Sequence, residues 1–165
     1  MPESTRDSQR SRVYAAESQL WHLIDGRDEY PTVQLFGSEV VIPDDRKFGE
    51  VDSAQRYIDG VLALNWVREL WPAAQRAVTV RARGAAGRAH YERATATIAL
   101  PPVEIGGGWS LRELVVLHEL AHHLNDSELH DAGFASILLT LTEELIGPEA
   151  EFLLRTIYLE NSVRI

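Results

Sequence analysis

The sequence predicts an α+β domain, with helices and strands grouped along the chain instead of alternating. Two observations lead there. Apolar residues recur at the 3.6-residue helical period near the N-terminus, in the middle and through the last third of the chain. Residues 32–42 and 77–100 instead carry the β-branched, period-two pattern of strands, and clusters of Gly, Pro and Asp separate the two kinds of stretch. The predicted order is helix, short strands, helix, hairpin, then three helices.

Residues 1–11 are polar and are expected as an N-terminal tail ahead of one domain over residues 12–165. A helix over residues 12–24 places Val13, Leu20 and Ile24 on its buried side, with Tyr14, Trp21 and Leu23 widening that face. A loop around Gly26 leads into residues 32–42, where Gly37-Ser38 implies two short strands or one bulged strand. Asp52-x-x-Gln55 has the form of a capping box, and Tyr57, Ile58, Val61, Leu62 and Trp66 form a stripe that Pro72 stops near Leu70. Val78, Val80 and Ala82 then alternate with Thr79, Arg81 and Arg83; residues 84–87 read as a turn and residues 88–100 as the returning strand of a hairpin. Pro101-Pro102 and Gly106-Gly107-Gly108 mark a crossing to the next helix. Ser110-x-x-Glu113 is a second capping box, Trp109 can staple onto Leu114, and Leu114, Leu117, Ala121 and Leu124 make a core-facing stripe. Asn125 suits the end of that helix because Asn tolerates a left-handed backbone. Phe134, Ile137, Leu138, Leu141 and Leu145 define a helix from about Asp131, and Gly147-Pro148 closes it and opens the last, docked by Leu153, Leu154 and Ile157.

The chain of 165 residues is 45% hydrophobic and 25% charged, a globular composition with enough apolar material for a core. A net charge of −9 with scattered arginines argues against a nucleic-acid partner or an anionic membrane surface. With no cysteine, disulfides, thiolate ligands and a cysteine nucleophile are excluded. No apolar run approaches the ~20 residues of a membrane span, and the N-terminus lacks the apolar core of a signal peptide. The expectation is a cytoplasmic protein.

The chemistry concentrates in Leu117-His118-Glu119-Leu120-Ala121-His122-His123, which contains one H-E-x-x-H. On a helix His118 and His122 lie one turn apart on one face and can share a metal ion, while Glu119 flanks the open side as a general base. Catalytic zinc takes three protein ligands. Downstream candidates are Glu128, His130, Asp131, Glu143 and Glu144. His130 suits zinc by its imidazole and by lying eight residues after His122, far enough for the chain to turn back. Glu143 or Glu144 on the following helix is the rival. His123 is ~140° round from His118 and reads as a surface or supporting residue. His90-Tyr91 is an ordinary strand position, although either side chain there could stabilise an oxyanion, and His22 carries no spacing signal. With Zn²⁺ held this way, a bound water would be acidified and a carbonyl polarised, and Glu119 would take the water's proton and pass it to the leaving amine. The strand over residues 95–100 could offer an open edge to an extended peptide or protein substrate.

From the hairpin Gly87-Arg88-Ala89-His90-Tyr91 to Thr97-Ile98-Ala99-Leu100, followed by the H-E-x-x-H, the chain resembles the zincin metallopeptidases. It is most similar to SprT-like and minimal gluzincin-type proteins. SprT-like members carry a later His-Gly-x-x-Phe with the third ligand; here His130-Asp131-Ala132-Gly133-Phe134 keeps the His and Phe positions and has Asp131 for the glycine. The resemblance implies a zincin-like fold, a small mixed sheet with a hairpin against the H-E-x-x-H helix and C-terminal helices. It also implies zinc, His118, His122 and His130 as ligands, and Glu119 as base. The whole chain, including Arg6-Asp7-Ser8-Gln9-Arg10 and Gly147-Pro148-Glu149-Ala150, also looks like a small family of bacterial metallohydrolases with no assigned substrate, the specific part of the resemblance lying at about residues 87–134. The basic or zinc-ribbon additions of SprT-like proteases acting on DNA-bound proteins are missing, so DNA repair is not implied; peptide deformylase, which needs a cysteine ligand, is excluded. A non-catalytic, metal-stabilised protein-binding module is the alternative.

Overall fold

The structure, a computed structural model, describes residues 6–84, 87–101 and 111–165. They form six α-helices and two small sheets, the α+β class expected. The chain divides into two compact units, Met1–Asp44 with Leu129–Ile165, and Asp45–Glu128. Among the described residues no helix is long and apolar enough to cross a membrane.

In the first unit, α1 (Arg10–Asp25) and α6 (Pro148–Glu160) pack together, and α6 also packs on α5 (Ala132–Leu145). The predicted stripes are the ones buried: Val13, Leu20 and Ile24 of α1, Phe134, Ile137, Leu138 and Leu141 of α5, and Leu153, Leu154 and Ile157 of α6. Gly147 ahead of Pro148 sits at φ +144, a conformation only glycine adopts cheaply, so one residue ends α5 and redirects the chain into α6. Two strands, β1 (Thr32–Leu35) and β2 (Ser38–Val41), form an antiparallel hairpin in the register Thr32↔Val41 to Leu35↔Ser38. Its turn residues Phe36 and Gly37 both have positive φ, 50° and 78°, as a tight two-residue hairpin turn demands. The stretch expected as a polar tail is built in at its inner end. Gln9 is buried and its amide exchanges two hydrogen bonds with the Arg164 backbone, accepting from the nitrogen at 3.1 Å and donating to the carbonyl at 3.3 Å.

In the second unit, α2 (Val51–Leu62) buries Ala54, Ile58, Val61 and Leu62, and the helical run breaks before α3 (Asn65–Leu70). The expected capping box is not used. Asp52 lies inside the first turn, and Gln55 instead spans to β3 (Thr79–Ala82), its Nε2 donating to the Val78 carbonyl at 2.9 Å and its Oε1 accepting from the Val80 amide at 2.6 Å. An amide side chain thereby supplies the pairing that an edge strand otherwise lacks.

The second sheet differs from the expected hairpin. The run expected as one returning strand is two, β4 (His90–Glu92) and β5 (Thr97–Leu100), separated by a turn in which Ala96 takes φ 47°. The order is β3-β5-β4, with β5 parallel to β3 from Thr79↔Thr97 to Ala82↔Leu100 and antiparallel to β4 from His90↔Ala99 to Glu92↔Thr97. All four residues of β5 are buried, which is why Thr97-Ile98-Ala99-Leu100 reads as a continuous run and not as an alternation. Both edges of β5 are occupied, so it cannot add a substrate strand as expected. The hairpin that exists is β4–β5, and it carries α4 (Glu113–Leu124) on its face. The expected Gly84–Gly87 turn lies partly, and the Pro102, Gly106-Gly107-Gly108, Trp109 and Ser110 readings wholly, outside the described residues.

Candidate metal centre

All twelve residues of α4 are buried, not only the predicted stripe. A helix apolar on most of its circumference belongs inside a domain, and the polar side chains on this one must therefore be there for a reason. His118 and Glu119 are 3% exposed and His122 9%. The imidazoles of His118 and His122 face each other one turn apart, with ring centroids 5.1 Å apart and planes at 68°. Glu119 lies ~100° round the helix from His118 and ~60° from His122, so its carboxylate borders the histidine face.

The helix is clamped at both ends by residues far away in sequence. Its N-cap is Arg112, in an extended conformation, whose own side chain makes no capping hydrogen bond. Asp45 does that work: its carboxylate accepts from Arg112 Nε at 2.9 Å and Nη2 at 2.8 Å, and from the Leu114 amide at 3.4 Å. Burial alone raises the Asp45 pKa, but the Arg112 guanidinium and Lys47 outweigh it and hold the carboxyl below its usual range. Glu113 and Arg46 bond reciprocally, Arg46 N donating to Glu113 Oε2 at 2.9 Å and Glu113 N to the Arg46 carbonyl at 2.8 Å. Tyr57 also donates to Glu113; burial and that carboxylate push the phenol pKa up, so it stays a donor. At the other end Arg93 Nη2 reaches the carbonyls of His122, Asn125 and Ser127 at 2.8, 3.0 and 3.0 Å, placing a cation on the negative end of the helix. Asn125 caps α4 in an extended conformation (φ −82°), not a left-handed one.

His123 is buried, which corrects the surface reading. Its Nε2–H donates to the carbonyls of Ala73 and Arg76 at 2.9 and 3.1 Å, and its Nδ1 accepts from the Tyr91 hydroxyl at 2.8 Å. Burial lowers its pKa and raises that of Tyr91. Tyr91 is thereby committed to fastening α4 to β4. His90 is half-exposed and paired with Glu92 at 3.1 Å.

His130 lies just before α5 and is 5% exposed. Its Nδ1–H donates to Asp7 Oδ2 at 2.7 Å, and its backbone amide approaches both Asp7 oxygens at 3.3 Å. Tyr14 and Phe134 flank the ring, with centroids at 5.2 and 4.9 Å. Asp131, the residue standing for the glycine of the SprT-like pattern, is the N-cap of α5 and accepts from the Phe134 amide at 2.9 Å. It is committed to the helix start. Of the other carboxylates considered, Glu143 and Glu144 are exposed on α5 and Glu128 is exposed beside Arg93 at 3.6 Å. Three buried histidines, His118, His122 and His130, are a set that could hold a metal ion. Three neutral imidazoles fit a divalent ion of the zinc type, without fixing which one.

Asp45 and Arg93 were not singled out from the sequence, and Asp7 appeared there only within the Arg6–Arg10 stretch, with no role at the site. No family model matches the chain, and no curated protein or solved structure matches it significantly.

Proposed function

We propose that the chain is a zinc-dependent metallohydrolase that cleaves peptide bonds, with His118, His122 and His130 as ligands and Glu119 as general base. The observation that carries this reading is the set of three buried histidines with a buried carboxylate next to the first of them. Three imidazoles whose ligand atoms lie within 4.8 Å of one another are a donor set that a zinc-type cation takes. The likeness of the H-E-x-x-H helix and its hairpin to zincin metallopeptidases supports the same assignment. When bound, zinc acidifies a water and polarises a substrate carbonyl. Glu119 would hold and move a proton at its carboxylate, taking one from the attacking water and delivering it to the leaving amine. The clamps on α4 at Asp45 and Arg93 keep His118, Glu119 and His122 in register, as a pre-organised site requires.

Elemental analysis and a peptide-library screen test this together. About one equivalent of zinc is expected in the parent protein, in Glu119→Gln and in Glu144→Ala, and none in His118→Ala or His130→Ala. Peptide cleavage is expected in the parent and absent in Glu119→Gln. Failure to take up zinc after its addition, or full activity in Glu119→Gln, overturns the proposal.

The complete burial of α4 favours a second reading, a metal-stabilised protein-binding module with a closed fourth position. It predicts zinc uptake and unfolding on chelation, with no cleavage and no effect of Glu119→Gln on partner binding.

A further inference from the structure

We infer that Asp7 is a positioning residue for the metal centre: its carboxylate fixes the ring and tautomer of His130, making the N-terminal segment part of the site. This rests on His130 being a ligand, as proposed above.

The geometry is specific. An imidazole can present either nitrogen, and which one carries the lone pair is set by the partner of the other. Asp7 takes the Nδ1–H at 2.7 Å, so the neutral ring holds its lone pair on Nε2. The same carboxylate sits 3.3 Å from the His130 amide with both oxygens, so it orients backbone and side chain at once. Tyr14 and Phe134 restrict rotation of the ring from its sides. Asp7 is itself held in place. Two residues on, Gln9 is buried and bonded to Arg164, and Arg12 donates to the carbonyls of Ser8 at 3.1 Å and Ser162 at 3.0 Å. A carboxylate anchored this way makes the imidazole a stronger donor and removes the entropy of ordering it. The partner lies 123 residues away in sequence, so no spacing pattern around His130 announces it.

The test measures zinc affinity of the full chain by competition with a chromophoric chelator, in the parent, Asp7→Ala, Asp7→Asn, Asp7→Glu and His130→Ala. Asp7→Ala is expected to weaken zinc binding about 10- to 100-fold, with Asp7→Glu recovering part of the loss. Long-range ¹H–¹⁵N spectra of the metal-free protein should show the His130 proton on Nδ1 in the parent and redistributed in Asp7→Ala. If Asp7→Ala does not fold, Asp7→Asn, nearly isosteric and uncharged, takes its place in both measurements. Affinity and tautomer unchanged in the Asp7 variants, with zinc binding lost in His130→Ala, overturn this inference alone. Zinc binding unchanged in His130→Ala, or absent from the parent, overturns the ligand assignment and the role of Asp7 with it. A lowered melting temperature with unchanged affinity means Asp7 only anchors the segment, and also overturns it.

Discussion

Replacing Asp45 by Asn should be among the most damaging single-atom changes in this protein. The Asp45 side chain is 0% exposed and Arg112, its bidentate partner, 3%. The substitution preserves shape but leaves a buried guanidinium facing a neutral amide. Removing one partner of a buried pair costs about 3–5 kcal/mol. Asn can still accept one of the Arg112 hydrogen bonds, which places the expected loss near the low end, about 3 kcal/mol. In urea denaturation with a slope of roughly 2 kcal/mol/M, the midpoint should fall by about 1.5 M with the slope unchanged. The pH dependence follows from the depressed Asp45 pKa. A carboxyl with a folded pKa below its unfolded value of about 3.9 contributes fully above that value and loses its contribution as pH falls through the folded one. The gap between parent and Asp45→Asn should therefore stay constant from neutral pH to about 5 and narrow below about 4. Asp44, next in sequence, pairs with Arg27 at 2.7 Å with side chains 45% and 37% exposed. Asp44→Asn should cost under about 1 kcal/mol. If the two variants shift the midpoint equally, or if the gap for Asp45→Asn does not depend on pH, the reasoning about the clamp is wrong.

Arg93→Ala removes the donor shared by the His122, Asn125 and Ser127 carbonyls and should destabilise by about 2 kcal/mol in the same assay; Arg93→Lys should recover only part, since a point ammonium cannot reproduce the planar fork. Gly37→Ala meets no atom within 4 Å but keeps φ at +78°, so it should cost about 1 kcal/mol through backbone strain alone. Free zinc at about 100 times its dissociation constant should stabilise the chain by about 2.7 kcal/mol, reversibly with chelator, measured as the melting temperature. No rise in melting temperature would count against a metal bound preferentially by the folded chain.

What could be read from the sequence is what depends on local repeats. The helical period places Val13, Leu20 and Ile24, or Phe134, Ile137 and Leu138, on one buried face because side chains three and four apart share a side of any α-helix. The same period puts His118 and His122 one turn apart, so the core of the candidate site was legible as a spacing. Gly37 and Gly147-Pro148 punctuate the chain through backbone freedom that belongs to those residue types wherever they occur. Tertiary structure decided the rest, because it depends on groups brought together from afar. Strand alternation says which face is buried but not which strand is the neighbour, and β5 entered between β3 and β4 where a simple hairpin was expected. Capping boxes are local competitors for a helix end, and the one at α2 was not used; at α4 a buried Asp45, 67 residues before Arg112, holds the helix start through the Arg112 guanidinium. Asp7 against His130 is the same case over a longer span. A hydrogen bond to a distant carboxylate leaves no period in the chain, so only the folded backbone could reveal it.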